Sequence, residues 1–207
     1  QNGNLLQASQ LSQLHNPDAR VSLDKFSDLH LLTKYSDALN GMHGADSLRF
    51  RFNFWEITDF IIWDFFQCTN KKTENYGGKE YVFYWPDNGK IHRDNPKAYV
   101  KGERVWGKPG IVVSMMNELP VTLYSGNKFD ISCSPIVPKN MLHLIPIWCF
   151  CSSIEFNKEV RKIDQALKVT NATLVKIPFD LEHWTKVAQE KYPNGLPKPY
   201  SNDPTQW

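Results

Sequence analysis

Residues 49–57 read RFRFNFWEI. Side chains on a β-strand point to opposite faces in turn, so this alternation predicts a strand with Phe50, Phe52 and Phe54 on one face and Arg49, Arg51 and Asn53 on the other. One face calls for a core, and the other for water or an anion. Further strand-like runs follow: KEYVFYW (79–85), GIVVSMM (110–116) and PVTLYS (120–125) are dense in strand formers. The turn sequences TENYGG, PDNGK, KPG and SGNK separate them. The intervening FWEITDFIIWDFFQC suits a strand or a helix equally well by periodicity.

Beyond residue 138 the pattern changes. SSIEFNKEVRKIDQALK places Phe156, Val160, Ile163 and Leu167 at helical spacing, and Ser152 with Glu155 forms the spacing of a capping box. A second helix is expected over DLEHWTKVAQEKY, with Asp180 as N-cap, Leu181, Trp184 and Val187 or Ala188 inward, and a stop at Pro193-Asn194-Gly195. KVTNATLVKIP between them reads as a short strand. The expected class is therefore α+β, a β-rich region of short mixed strands followed by a helical scaffold. Residues 1–40 form a polar connecting segment with short helices around Leu5–Leu14 and Ser27–Leu39. Residues 41–138 form the β-rich region, 139–192 the helical region, and 193–207, with three prolines in LPKPYSNDPTQW, an extended linker toward a further part of a longer protein.

At 207 residues and 41% hydrophobic, the chain can bury one sizeable core or two small ones. Its apolar runs, FIIWDFF and LHLIPIWCFC, are too short or interrupted for a membrane span of about 20 residues. The first twenty residues lack a basic start followed by an apolar run, so a cytoplasmic location without membrane contact is expected. Cys149 and Cys151 lie in an apolar run, and with Cys68 and Cys133 they read as reduced, buried thiols. A CxC and six scattered histidines do not make a metal site, and Asn171-Ala172-Thr173 matches a glycosylation triplet that is common by chance.

Net charge is only +2, but its distribution is uneven. Residues 66–110 hold nine basic and five acidic residues, a local charge of +4, interleaved with Tyr76, Tyr81, Phe83, Tyr84, Trp85, Tyr99 and Trp106. A basic, aromatic, glycine-punctuated stretch suits contact with a phosphate backbone and base edges; the bland alternative is a solvated β-meander. Catalytic patterns are missing. The sequence has no P-loop, GxSxG, HExxH or Gly-rich nucleotide turn. Asp59 and Asp64 read as polar positions in an aromatic segment, and the apolar surroundings of Cys149 would raise its pKa rather than activate it. An independent hydrolase thus has only scattered thiols and histidines behind it.

The stretch from Trp148 to Trp207 closely resembles the C-terminal part of large bacterial adenine-specific (N-6) DNA methyltransferases of restriction and phage-defence systems. So does the order GMHGADSLRFRFNFWEI, YGGKEYVFYWPDNG, WGKPGIVVS and ELPVTLYSGNKFD, and the resemblance covers most of residues 29–207. In that family this region follows the methylase domain and is the target-recognition domain, similar to the specificity domain of TaqI-like enzymes. Two departures stand out. Gly44-Ala45-Asp46-Ser47 replaces the family's Thr-Gly-Asp-Asn type of turn, and neither the S-adenosylmethionine-binding glycine motif nor Asn-Pro-Pro-Tyr occurs in these 207 residues.

The resemblance implies a DNA target-recognition region that binds double-stranded DNA and partners a methylase domain of the same parent chain. S-adenosylmethionine and the flipping and methylation of adenine would then belong to that other domain, and this chain alone would not be an enzyme. The residues singled out for DNA contact are Arg49, Arg51, Lys79, Lys101, Arg104, Trp106 and Lys108. A bidentate arginine to guanine is the commonest specific contact, and loops on a rigid scaffold are where readout is placed. The alternative is a module bridging subunits of a defence complex, its aromatics forming a protein interface and its lysines only solubilising it.

Overall fold

A strand with no exposed position must be covered on both faces. β5 (Gly110–Ser114) is such a strand, and every residue of it is buried. In the computed structural model, which describes residues 9–14, 16, 19, 21 and 30–199, β5 lies inside an antiparallel sheet ordered β1-β8-β5-β6. Its neighbours are β8 (Cys133–Pro138) and β6 (Val121–Tyr124), with β1 (Ser36–Ala38) at the far edge. Register is set by pairs such as Ile111 with Ile136 and with Leu123.

The two faces of this sheet are covered differently. Ile111, Val113, Val121, Leu123 and Ile136 belong to the core beneath the C-terminal helices. These helices are α4 (Leu144–Cys151), α5 (Ile154–Ile163) and α6 (Leu181–Lys191). Phe150 sits at their junction, its ring centroid 5.6 Å from Phe156, 5.2 Å from Phe179 and 5.3 Å from Trp184. Val112, Tyr124 and Val137 face the other way, where Leu39, Val105 and Phe129 cover them.

A second sheet, ordered β2-β4-β3-β7, is made of β2 (Arg51–Asn53), β4 (Tyr81–Tyr84), β3 (Trp63–Gln67) and β7 (Lys128–Phe129). Its pairings are antiparallel except for β3 with β7. Met42, Phe50, Phe66, Cys68, Phe83 and Trp85 form its core. The described residues also make three single-turn α-helices, α1 (Gln10–Gln13), α2 (Ser47–Phe50) and α3 (Lys90–Arg93). The class is α+β, β-rich with its longer helices toward the C-terminus.

Several local expectations need correction. The capping serine of α5 is Ser153, whose hydroxyl accepts from the Phe156 N–H, while Ser152 donates back to the Trp148 carbonyl at 2.7 Å and closes α4. α5 ends at Ile163 because the buried Asp164 carboxylate accepts from Ala166 N–H (3.1 Å) and the Thr173 hydroxyl (3.2 Å), turning the chain aside. Leu167 is consequently 69% exposed instead of inward. Residues 168–178 hold a 3₁₀ turn at Thr173–Val175 with isolated bridges at Lys168 and Pro178 rather than a strand. Residues 30–39 form a 3₁₀ turn and β1 in place of a helix. Residues 5–8 and 27–29 of the expected N-terminal helices, and 200–207 of the expected linker, lie outside the described residues.

The alternating stretch is the largest correction. Arg49 and Phe50 end α2, only Arg51–Asn53 are a strand, and Phe54–Glu56 form a 3₁₀ turn. The Glu56 carboxylate enforces that turn by accepting from the Asn53 backbone N–H at 2.7 Å and its side-chain amide at 3.1 Å. Phe50 is buried, but Phe52 points to the opposite side of the sheet and is 36% exposed. Arg51 turns toward the core side instead. Its guanidinium lies 3.9 Å from Asp130, 3.8 Å from the Cys68 sulfur and 4.8 Å from the Tyr81 ring centroid. Burial, with Asp130 adding to it, pushes the Cys68 thiol up to about 12, so it stays neutral beside that arginine.

Arg51→Ala strips Asp130 of its guanidinium and is expected to cost roughly 1–2 kcal/mol, a fall in Tm of about 2–8 °C for a chain of this size. Arg49→Ala, at an exposed side chain whose contact is the Phe50 ring at 5.3 Å, should stay within about 0.5 kcal/mol of wild type. Thermal denaturation of the two variants checks this difference.

Candidate nucleic-acid interface

The loop from Tyr99 to Pro109 joins the two sheets, and backbone bonds hold it rigidly. Tyr99 and His43 exchange N–H···O bonds of 3.0 Å, Gly107 N–H donates to Gly126 at 2.8 Å, and Lys108 N–H donates to Val105 at 3.1 Å. Gly102 adopts φ +83, and a Cβ there would sit 2.3 Å from the Phe129 ring, so glycine is required where the loop crosses β7. Val105, the buried anchor, sits in the core on the outer side of the first sheet.

From this frame the side chains of Lys101, Arg104 and Lys108 project into solvent. Lys101 lies 4.7 Å from the Tyr99 ring centroid. Among the described residues neither the Arg104 guanidinium nor the Lys108 ammonium meets a carboxylate or a hydrogen-bond acceptor of the chain. The loop's one acid, Glu103, is bound by both Arg93 nitrogens at 3.0 and 2.9 Å. That pairing holds the Glu103 carboxyl below its ordinary range and neutralises it, so the loop presents a positive field without an internal counter-charge.

Arg104 and Lys108 also line one cleft, of about 400 Å³, whose opposite wall carries Asp37, Val137, Pro138 and Lys139. Lys139 was not among the residues singled out from sequence. It follows β8 directly, and its ammonium donates to the Thr33 carbonyl at 2.6 Å, 3.9 Å from Asp37. Three cations around one cleft, against one carboxylate, suit a phosphate group by charge and by the planar donors of the arginine.

The other candidates lie elsewhere. Arg51 faces inward, and Arg49 is exposed on α2. Trp106 is half-buried, with its indole nitrogen enclosed and without a partner. Its ring packs edge-on against Trp85 at 5.7 Å, with the Lys128 ammonium 4.6 Å from its centroid. Lys128 in turn pairs with Asp64 at 2.6 Å. This Trp85–Trp106–Lys128 stack supports the basic loop from below. Lys79 is half-buried beside Ser125, whose hydroxyl accepts from its ammonium at 2.6 Å. Burial lowers its pKa to about 8.

No strand among the described residues runs through a glycine-rich turn into a helix of the kind that cradles a nucleotide. The described residues also hold no His/Cys/Asp/Glu cluster suited to a metal ion, and no helix among them is long and apolar enough to cross a membrane. All four cysteines are free and buried, and burial raises the Cys149 pKa.

With the folded pKa of Lys79 near 8 and the unfolded one near 10.5, the unfolded chain holds more protons between these values. Stability therefore rises as pH climbs through that window, and this contribution is lost again as pH falls through 8. Chemical denaturation of wild type and Lys79→Met at pH 8 and pH 10 should show a gain on alkalinisation in wild type that the variant lacks.

No family model matches the sequence, and no curated protein matches it. Among solved structures the chain is similar to the crystal structure of the HsdS subunit from Thermoanaerobacter tengcongensis, at 12% identity and a TM-score of 0.45. The match covers 87% of this chain and 40% of that one, so the chain spans less than half the length of that neighbour.

Proposed function

We propose that this chain is the DNA target-recognition region of a larger S-adenosylmethionine-dependent, adenine-specific DNA methyltransferase of a restriction or phage-defence system. It grips duplex DNA, and it selects the site at which a separate methylase domain flips and methylates adenine. The observation that carries this reading is the loop 101–108. It is rigid in its backbone, its acid is neutralised by Arg93, and Arg104 and Lys108 remain uncompensated at the mouth of one cleft. The sequence resemblance to such recognition regions supplies the rest.

In this reading Arg104 and Lys108 hold phosphates and fix register, with Lys101 beside them. Each phosphate neutralised releases counterions from the duplex, so affinity falls with salt with a slope of roughly 0.9 per contact. The arginine's fork also suits guanine O6 and N7 if the loop lies in the major groove.

Fluorescence anisotropy with a pool of random duplex DNA, between about 50 and 200 mM salt, tests the proposal. Wild type should bind with steep salt dependence. Arg104→Ala/Lys108→Ala should reduce the slope by roughly two while leaving Tm unchanged, since neither side chain bonds within the fold. Salt-insensitive binding, or a slope that the double variant leaves intact, overturns it.

A further inference from the structure

The second sheet has one face in a core, and among the described residues no core cluster covers the other. Phe52 and Phe65 both pair with Val82, and Trp63 pairs with Tyr84, so these four aromatics flank Val82 on the same outer face. Trp63 meets Phe52 edge-on at 5.3 Å and Tyr84 at 5.2 Å, and Phe60 stacks on Phe65 at 5.7 Å. The aromatic surface continues into the loop between β2 and β3, where Trp55 is 63% and Ile61 90% exposed, with Ile62 beside them. This loop is shaped rather than slack. The Asp59 carboxylate accepts from the Ile61 N–H at 2.9 Å, and Trp63 N–H donates to the Phe60 carbonyl at 3.3 Å.

An apolar face of this extent on a chain whose core is already filled marks an interaction surface. Its rim tells which kind. Glu56 and Asp59 lie in the loop itself, and Glu80 borders it, its carbonyl accepting from the Phe54 N–H at 2.9 Å. All three carboxylates are on exposed residues; of the cations close in sequence Arg49 is exposed, while Arg51 turns to the core side toward Asp130 and Lys79 is half-buried beside Ser125. Polyphosphate is repelled by such a rim, and a second copy of the same face would set carboxylate against carboxylate. We infer that the outer face of the second sheet docks a protein segment that presents aliphatic or aromatic side chains flanked by lysine or arginine. This surface is separate from the basic loop, so the chain carries two faces of opposite electrostatic character, one for DNA and one for a protein.

The test is a selection of displayed random peptides on the whole chain, run in parallel on Ile61→Glu and on Leu142→Glu. Ile61 is almost fully exposed, so the first change alters the face without touching the core. Leu142, 82% exposed, is a comparable apolar residue outside this face and serves as the control. Peptides enriched on wild type should combine apolar residues with Lys or Arg. They should bind Leu142→Glu as well as wild type, lose at least tenfold in affinity on Ile61→Glu, and shift Trp fluorescence to the blue. Three outcomes overturn the inference: no enrichment beyond that on Ile61→Glu, enrichment of acidic peptides, or displacement of the peptides by duplex DNA at low salt. The last would give the face to nucleic acid. None of these outcomes depends on whether loop 101–108 binds DNA.

Discussion

The eight-residue helix α4 is apolar along its whole length, so it is stable only where protein encloses it. It gets that enclosure from α5 and α6 on one side and from β5 and β8 on the other. The sheet needs it in return. Ile111, Val113 and Ile136 would otherwise present a wide apolar surface to water, at about 25 cal/mol for each Å² exposed. Trp148 ties the arrangement to the end of α6 through a 2.9 Å bond from its indole N–H to the Tyr192 hydroxyl. With this side of the first sheet fixed, the opposite side can anchor Val105 and hence the basic loop. The geometry of an exposed surface thus rests on a helix two layers away.

Charge around the second sheet is managed by pairing some ions so that others stay unpaired. Arg93 neutralises Glu103, Lys128 neutralises Asp64 and Arg51 neutralises Asp130, the last two across elements far apart in sequence. What remains unpaired on the basic loop is positive, and what remains around the aromatic face is negative. A net charge of +2 conceals this division.

Elements whose residues bury a regular stripe were legible in the sequence. α6 announces itself by its period and its Asp180 cap, whose carboxylate accepts from His183 N–H at 3.0 Å, and the strands β4, β5 and β6 by dense strand formers and flanking turns. The alternation at 49–57 misled because a period of two shows only which residues would share a face if the backbone stayed extended. Glu56 curls it after three strand residues, and that is a side-chain effect. β1 and β7 are three and two residues long and exist only through their partners, so no local signal marks them. In the candidate interface, Arg104 and Lys108 were visible as cations beside glycines. Lys139 was hidden because β8 carries it there from the edge of the helical region, and the Arg93–Glu103 pair because nothing at a spacing of ten residues signals contact.

The path of the chain between the sheets has an outcome for anyone wishing to change what the molecule recognises. It enters the first sheet at β1, builds three strands of the second, and returns for β5 and β6. It then crosses again for the two residues of β7 before finishing in β8. Lys128, on β7, reaches under Trp85 and Trp106. A cassette exchanged between β1 and β5 would therefore meet an edge strand and a cation still belonging to the host, mismatched in register and charge. If the loop 101–108 reads DNA as proposed, recognition is better altered by replacing that loop alone, or by moving everything from β1 through β8 as one indivisible graft.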